Sequence, residues 1–377
     1  MKKWFLSLLS CLLVLALTAC AAPQAPVTEI IPSTEAIVYA QQDYDLHKVS
    51  DKLLLLGRAS SANNGIACDF TADGIAFEAY IQGEFSFTVN CSKDAYFTVY
   101  VDGVRLEQRF EAKGEFKDRK IVVGDLGEMA LHSIRILKQT EAKNAIATLK
   151  SMQFYGCLYA PAAQKNLYVE FIGDSISCGY GNLWTTDSPD PSNKSGTALY
   201  QDGTQGYAFL TAELLDADCS VIGCSGIGID RSYTNQNGSG YRMIDFYPAA
   251  SYCRTPLEKY DFSNSRVPDL VVINLGTNDQ SVGSTEAAFK TGVKELIEYV
   301  RSAYNTDVPI VWAYGMMSEG RSNWTKAVID EMGGESAGLY MVQLPQNKQG
   351  GNGHPSLKAH MEAAQRLSAF IADKGVI

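Results

Sequence analysis

Four short stretches of the chain hold side chains that could together transfer an acyl group. The segment FIGDSISCGYGN, residues 171–182, stops an apolar run on Gly173, Asp174 and Ser175 and continues into two more glycines. A serine in that setting offers its hydroxyl at the end of whatever element the apolar run forms, and it becomes a nucleophile only when a base takes its proton. Candidates for the other parts follow in Ser225-Gly226, in LGTND at 275–279 and in GNGHPS at 351–356. Backbone N–H groups and a side-chain amide can hold an oxygen that turns negative during reaction. A histidine can accept the serine proton. Each stretch is common by itself, because Gly, Asn and Asp are ordinary turn residues. Their order at successive strand ends is what carries information.

Those strand ends come from the second part of the chain. From about residue 161 the rhythm is strand, loop, helix. LYVEFIG, CSVIGCS, DLVVINLG and VPIVWAYG are nearly continuous apolar runs, the pattern of parallel strands buried on both faces. Amphipathic helices alternate with them: TQGYAFLTAELLDA, STEAAFKTGVKELIEYVRSA and a last one from His354 to Gly375, with Pro355 in its first turn. The fold class is therefore α/β, with a three-layer domain over 161–377 built on a parallel sheet. In such sheets ligands bind beyond the carboxyl ends of the strands, where all four stretches fall.

Residues 38–160 have a different period. In FSFTVNC, Phe85, Phe87, Val89 and Cys91 point one way, and YFTVYVDGVRLEQRF repeats the alternation around a tight turn at Asp102-Gly103. LHSIRILK and LKSMQFYG are further strands. Short strands separated by turns, without a helical window, predict a jelly-roll-like β-sandwich.

The first 20 residues read as a leader: Lys2 and Lys3, then an apolar stretch from Phe5 to Leu17 that is short for a membrane span. It closes on LTAC, which resembles a bacterial lipobox, and that resemblance implies lipidation at Cys20, export and a membrane lipid anchor on an extracellular or periplasmic face. Residues 21–37, with their prolines, read as a tether. The whole chain of 377 residues carries 32 Lys+Arg against 42 Asp+Glu, a net charge of −10, which argues against nucleic acid as a partner. Of nine cysteines, Cys11 and Cys20 fall in the leader, leaving an odd seven, several of them in apolar runs where a thiol acts as a small hydrophobe. Neither C-x-x-C nor H-E-x-x-H occurs, so no metal site and no cofactor is expected.

The blocks FIGDSIS, SG, GTND and HP resemble, in order, the signatures of the SGNH or GDSL-type hydrolases. The strand-rich region ahead of them narrows the likeness: GRASSANNGIACDF, YVDGV, LHSIRILKQTEA and FIGDSISCGYGN are similar to carbohydrate esterase family 2, whose members remove acetyl groups from plant polysaccharides. The resemblance spans about residues 50–377. It implies a serine esterase acting on acetylated polysaccharide or oligosaccharide, with Ser175 as nucleophile and with the Ser175 N–H, the Gly226 N–H and the Asn278 amide as the oxyanion hole. Asp174 and Asp279 read better as structural residues.

Four histidines compete for the role of base. His47 precedes the sandwich, and His132 shares the parity of Ile134 and Ile136 in a strand. His360 lies six residues beyond His354 on a helical stretch, about 120° round at ~100° per residue, so both cannot face the serine. Elimination together with the HP block selects His354. The family pattern puts an Asp three residues before this histidine, but here that position is Gly351, followed by Asn352. The expectation is a Ser–His dyad, with a backbone carbonyl of residues 349–352 or the Asn352 side chain fixing the imidazole. Tyr180, Trp184 and Trp324, in predicted loops, are candidates to stack on a sugar. Two other functions fit the same residues: a GDSL-type lipase or esterase on non-sugar esters, and a non-catalytic surface module that only binds glycan.

Overall fold

The computed structural model describes residues 39–62, 64–188, 192, 198–233, 241–251 and 258–377. The leader, Cys20, all but the end of the segment before the first strand, and Cys253 lie outside the described residues.

Residues 40–161 are mostly strands, joined in one hydrogen-bonded network of eleven. Its spine is the long strand Gly74–Cys91, antiparallel to Ala147–Pro161 and Ala130–Lys138. Phe77, Phe85, Phe87, Phe97 and Phe154 fill the core beneath it, each at most 1% exposed. The Asp102-Gly103 turn has φ of 52° and 79°, left-handed at both positions, and joins Ala95–Val101 to Val104–Arg105.

The second region holds a five-stranded, wholly parallel sheet. Leu167–Gly173 lies between Ala217–Gly223 and Leu270–Asn274, and Ile310–Gly315 and Leu339–Leu344 follow on the side of Leu270–Asn274. The sheet is covered on both faces, which is why its strands are apolar throughout. Glu286–Tyr304 lays Phe289, Val293, Leu296 and Val300 on one face with Ile172 and Ile273. Tyr207–Leu214 and Leu357–Lys374 cover the other, where Ala363 and Leu367 pack with Val169 and Phe171. Because the chain runs from the first strand to one side and then crosses to the other, the strand order reverses at Leu167–Gly173. That reversal opens a crevice at its carboxyl end.

The two regions share a buried ion pair. Arg58, from the strand-rich region, meets Glu170 on the central parallel strand at 3.4 Å, with both side chains fully buried. The guanidinium donates to the carbonyls of Tyr247 and Ala249 at 2.5 and 3.0 Å and lies 4.2 Å from the Tyr260 ring centroid. Glu170 accepts from the hydroxyls of Tyr247, Tyr304 and Ser220. A charge pair this far from water depends on such partners, and among the described residues only Arg58 Nε of the guanidinium is buried without one.

Candidate active site

The first parallel strand ends at Gly173 because nothing larger fits there: a Cβ would lie 1.9 Å from Ser177 Oγ. The chain then turns through Asp174, whose buried carboxylate accepts the Ile176 N–H at 2.9 Å and so closes the turn that presents Ser175. Burial pushes the Asp174 carboxyl up to about 7, with Asp279 and Glu141 adding repulsion.

His354 arrives at the serine from the far end of the chain. The Ser175 hydroxyl and His354 Nε2 lie 2.8 Å apart. The other ring nitrogen, Nδ1, is 3.2 Å from the Gly351 carbonyl, which can only accept, so Nδ1 carries the proton and Nε2 is the acceptor. The Asn352 side chain does not hold the ring. Its amide nitrogen instead donates to the Tyr180 hydroxyl at 3.3 Å, since the left-handed backbone at Asn352, φ 53°, directs it outward. Burial draws His354 down to about 4, against the carbonyls of Gly351 and Asn352, which favour its charged form.

The second strand leads to Ser225 and Gly226, the latter at φ 89°, where a side chain would be strained. Among the described residues, neither the Ser175 N–H nor the Gly226 N–H has a protein acceptor. Asn278 sits in the short helix Thr277–Ser281 after the third strand, 8% exposed. Its Nδ2 donates to the Ile227 carbonyl at 2.8 Å and to Asp174 Oδ2 at 3.0 Å. Asp279 is a clamp: its carboxylate collects the N–H groups of Ile229, Asp230 and Arg231, fixing the loop that continues from Gly226.

Ser175, Gly226, Asn278 and His354 line one cleft of about 500 Å³. Tyr180 borders it with its ring against the imidazole, centroids 4.4 Å apart. Trp184 is buried and lines a neighbouring cleft instead, beside Asn352 and Gln349. Trp324 is not in a loop. It belongs to the helix Ser322–Glu331, packs on Phe289 and is covered by the Arg321 guanidinium at 3.9 Å, so it faces neither cleft. His360 is fully buried and accepts the Tyr207 N–H at 3.0 Å, while His132 pairs with Asp102 at 2.8 Å.

The sequence reading missed Lys143, Tyr233 and Met317, all of which line the same cleft as Ser175 and His354. Tyr233 is 54% exposed and donates its N–H to the Gly226 carbonyl at 2.7 Å. Lys143 comes from the strand-rich region, and no local pattern marks it. Among the described residues no three His, Cys, Asp or Glu side chains converge as a metal would need. Cys91, Cys157, Cys178 and Cys219 are free thiols.

Residues 171–368 match the model of the GDSL-like lipase/acylhydrolase family. The chain belongs to that family. It is 34% identical over 329 residues to the cellulase/esterase CelE of Acetivibrio thermocellus, a stretch that covers 82% of this chain and 38% of that protein. It is 29% identical over 192 residues to an acetylxylan esterase / glucomannan deacetylase of Cellvibrio japonicus, covering 47% of this chain and 49% of that one. The chain thus spans about half or less of the curated relatives it matches. Among solved structures, a family two carbohydrate esterase from Clostridium thermocellum in complex with cellohexaose superimposes with a TM-score of 0.77 at 30% identity, covering 86% of this chain and 100% of that one. The chain is a homologue of family two carbohydrate esterases.

Proposed function

We propose that the protein is an exported serine esterase that removes O-acetyl groups from polysaccharide or oligosaccharide through a Ser175–His354 dyad. The observation that carries this reading is the 2.8 Å contact between Ser175 Oγ and His354 Nε2 at the floor of a cleft that also holds Gly226 and Asn278. The hydroxyl attacks the acetyl carbonyl carbon while its proton passes to Nε2. The carbonyl oxygen, now negative, takes the N–H groups of Ser175 and Gly226 and the Asn278 hydrogen otherwise given to Asp174. The bond to the sugar oxygen breaks, and the imidazolium returns its proton to that oxygen. Water then attacks the acetyl-serine by the same path and acetate leaves. The Gly351 carbonyl supplies the orientation that an Asp gives elsewhere in the family.

Sugar rather than lipid is supported by the family two homologue and by the hydrogen-bonding side chains of Lys143, Ser281 and Asn352 that line the cleft. The leader and the Cys20 motif support export and lipid anchoring. The division at about residue 160 and a jelly-roll-like folding of the preceding strands belong to the same reading. The test is acetate release from acetylated xylan and glucomannan, with 4-nitrophenyl acetate and butyrate for comparison. The expected result is acetyl preference and loss of all turnover in Ser175→Ala and in His354→Ala. Preference for longer acyl chains would instead identify an esterase on non-sugar esters, and glycan binding without turnover a non-catalytic module.

A further inference from the structure

Three hydrogen bonds from a single turn of the strand-rich region converge on Ser225. Glu141, 1% exposed, accepts the Ser225 N–H at 2.7 Å and the Ser225 hydroxyl at 2.5 Å. Lys143, two residues on, donates its ammonium to the Ser225 carbonyl at 3.0 Å. That carbonyl and the Gly226 N–H belong to one planar peptide unit, so whatever aims the C=O also aims the N–H. The turn is itself tied to the nucleophile's loop. Gln201 accepts the Glu141 N–H at 3.4 Å, and its own amide donates to the Cys178 carbonyl at 3.0 Å, three residues past Ser175.

We infer that Glu141 and Lys143 are positioning residues of the oxyanion hole, an inference that rests on the serine-esterase reading. Glu141 anchors Ser225 from the buried side. Lys143 holds the plane of the peptide that joins Ser225 to Gly226, and its charge draws electron density from the carbonyl through the conjugated amide. The Gly226 N–H becomes a stronger donor as a result, and the gain grows with the negative charge it faces. The effect therefore belongs to the tetrahedral intermediate more than to bound substrate. The strand-rich region thus contributes to catalysis from outside the α/β fold.

The experiment uses the full chain with Lys143→Met, Lys143→Arg and Glu141→Gln. Lys143 is exposed, so its variants should fold whatever happens to the buried Glu141. Each is measured for kcat and KM on 4-nitrophenyl acetate, for thermal midpoint, and for affinity toward a trifluoromethyl ketone, which adds to Ser175 and carries an oxyanion. Lys143→Met should lower kcat about 10- to 30-fold, less than the ~10²–10³ lost when a donor is removed outright. Its ketone affinity should fall by a similar factor, with KM and thermal midpoint unchanged, and Lys143→Arg should recover most of both. Unchanged kcat in Lys143→Met, or a rise in KM with kcat kept, overturns the inference while leaving the esterase reading intact. A wild-type protein that turns over no acetyl ester overturns both.

Discussion

The neutral imidazole of His354 has a kinetic consequence that can be worked through. An ordinary histidine titrates near 6.5, but burial draws His354 down to about 4. A base works only when unprotonated, and kcat/KM follows the free enzyme. At pH 5 an imidazole with its ordinary value would be neutral in about 3% of molecules, whereas one at about 4 is neutral in about 90%. The activity retained at pH 5 should therefore be about 30-fold more than an unperturbed histidine would allow. The sign follows from the cause: removal from water penalises the charged form, and no carboxylate lies against Nδ1 to offset it. The assay is kcat/KM for 4-nitrophenyl acetate between pH 3.5 and 8, read at the wavelength where nitrophenol and its anion absorb equally. Asp174, raised to about 7, is the group most able to confuse the profile, because it touches Asn278. Asp174→Asn removes that titration while leaving His354 in place. An acid limb that stays between 6 and 7 in both proteins would refute the argument from burial.

Two further outcomes follow from contacts described above. Asn352→Ala should change kcat by less than about threefold, because the Gly351 carbonyl and not the Asn352 side chain meets Nδ1; a loss comparable to the ~10⁴ known for removing a triad acid would reverse that assignment. Arg58→Met, which strands the Glu170 carboxylate in the core, should cost about 3–5 kcal/mol in urea unfolding, and adding Glu170→Leu should return most of it; a single-variant cost under about 1 kcal/mol would mean the pair is not held as described.

Parallel strands made the candidate site readable. Because every strand of the second sheet points the same way, residues that follow successive strands in sequence converge at one edge in space, and Ser175, Gly226 and Asn278 could be grouped from their order alone. His354 was legible for a different reason, scarcity, since three other histidines could be assigned elsewhere. The residues that escaped do so for physical reasons too. Glu141 and Lys143 sit in the connection between Ala130–Lys138 and Ala147–Pro161, and their meaning depends on how that turn docks on a loop more than 80 positions away. Trp324 was misread because SNWTKAVIDE is short and mostly polar; only Trp324, Thr325, Val328 and Ile329, at helical spacing, betray the face that packs inward. The imidazole's partner could be narrowed to four residues but not chosen, because a backbone carbonyl leaves no mark on side-chain identity.

Arg58 and Glu170 also bear on the order in which the molecule can assemble. A polypeptide leaves the ribosome amino end first, so the guanidinium is present, with its strand-rich surroundings able to form, before the carboxylate that needs it has been synthesised. The central parallel strand never has to enter the interior with its acidic residue unanswered. A circular permutant opened near residue 160 would bring the anion out first and leave it waiting for its cation until the whole α/β region had been made.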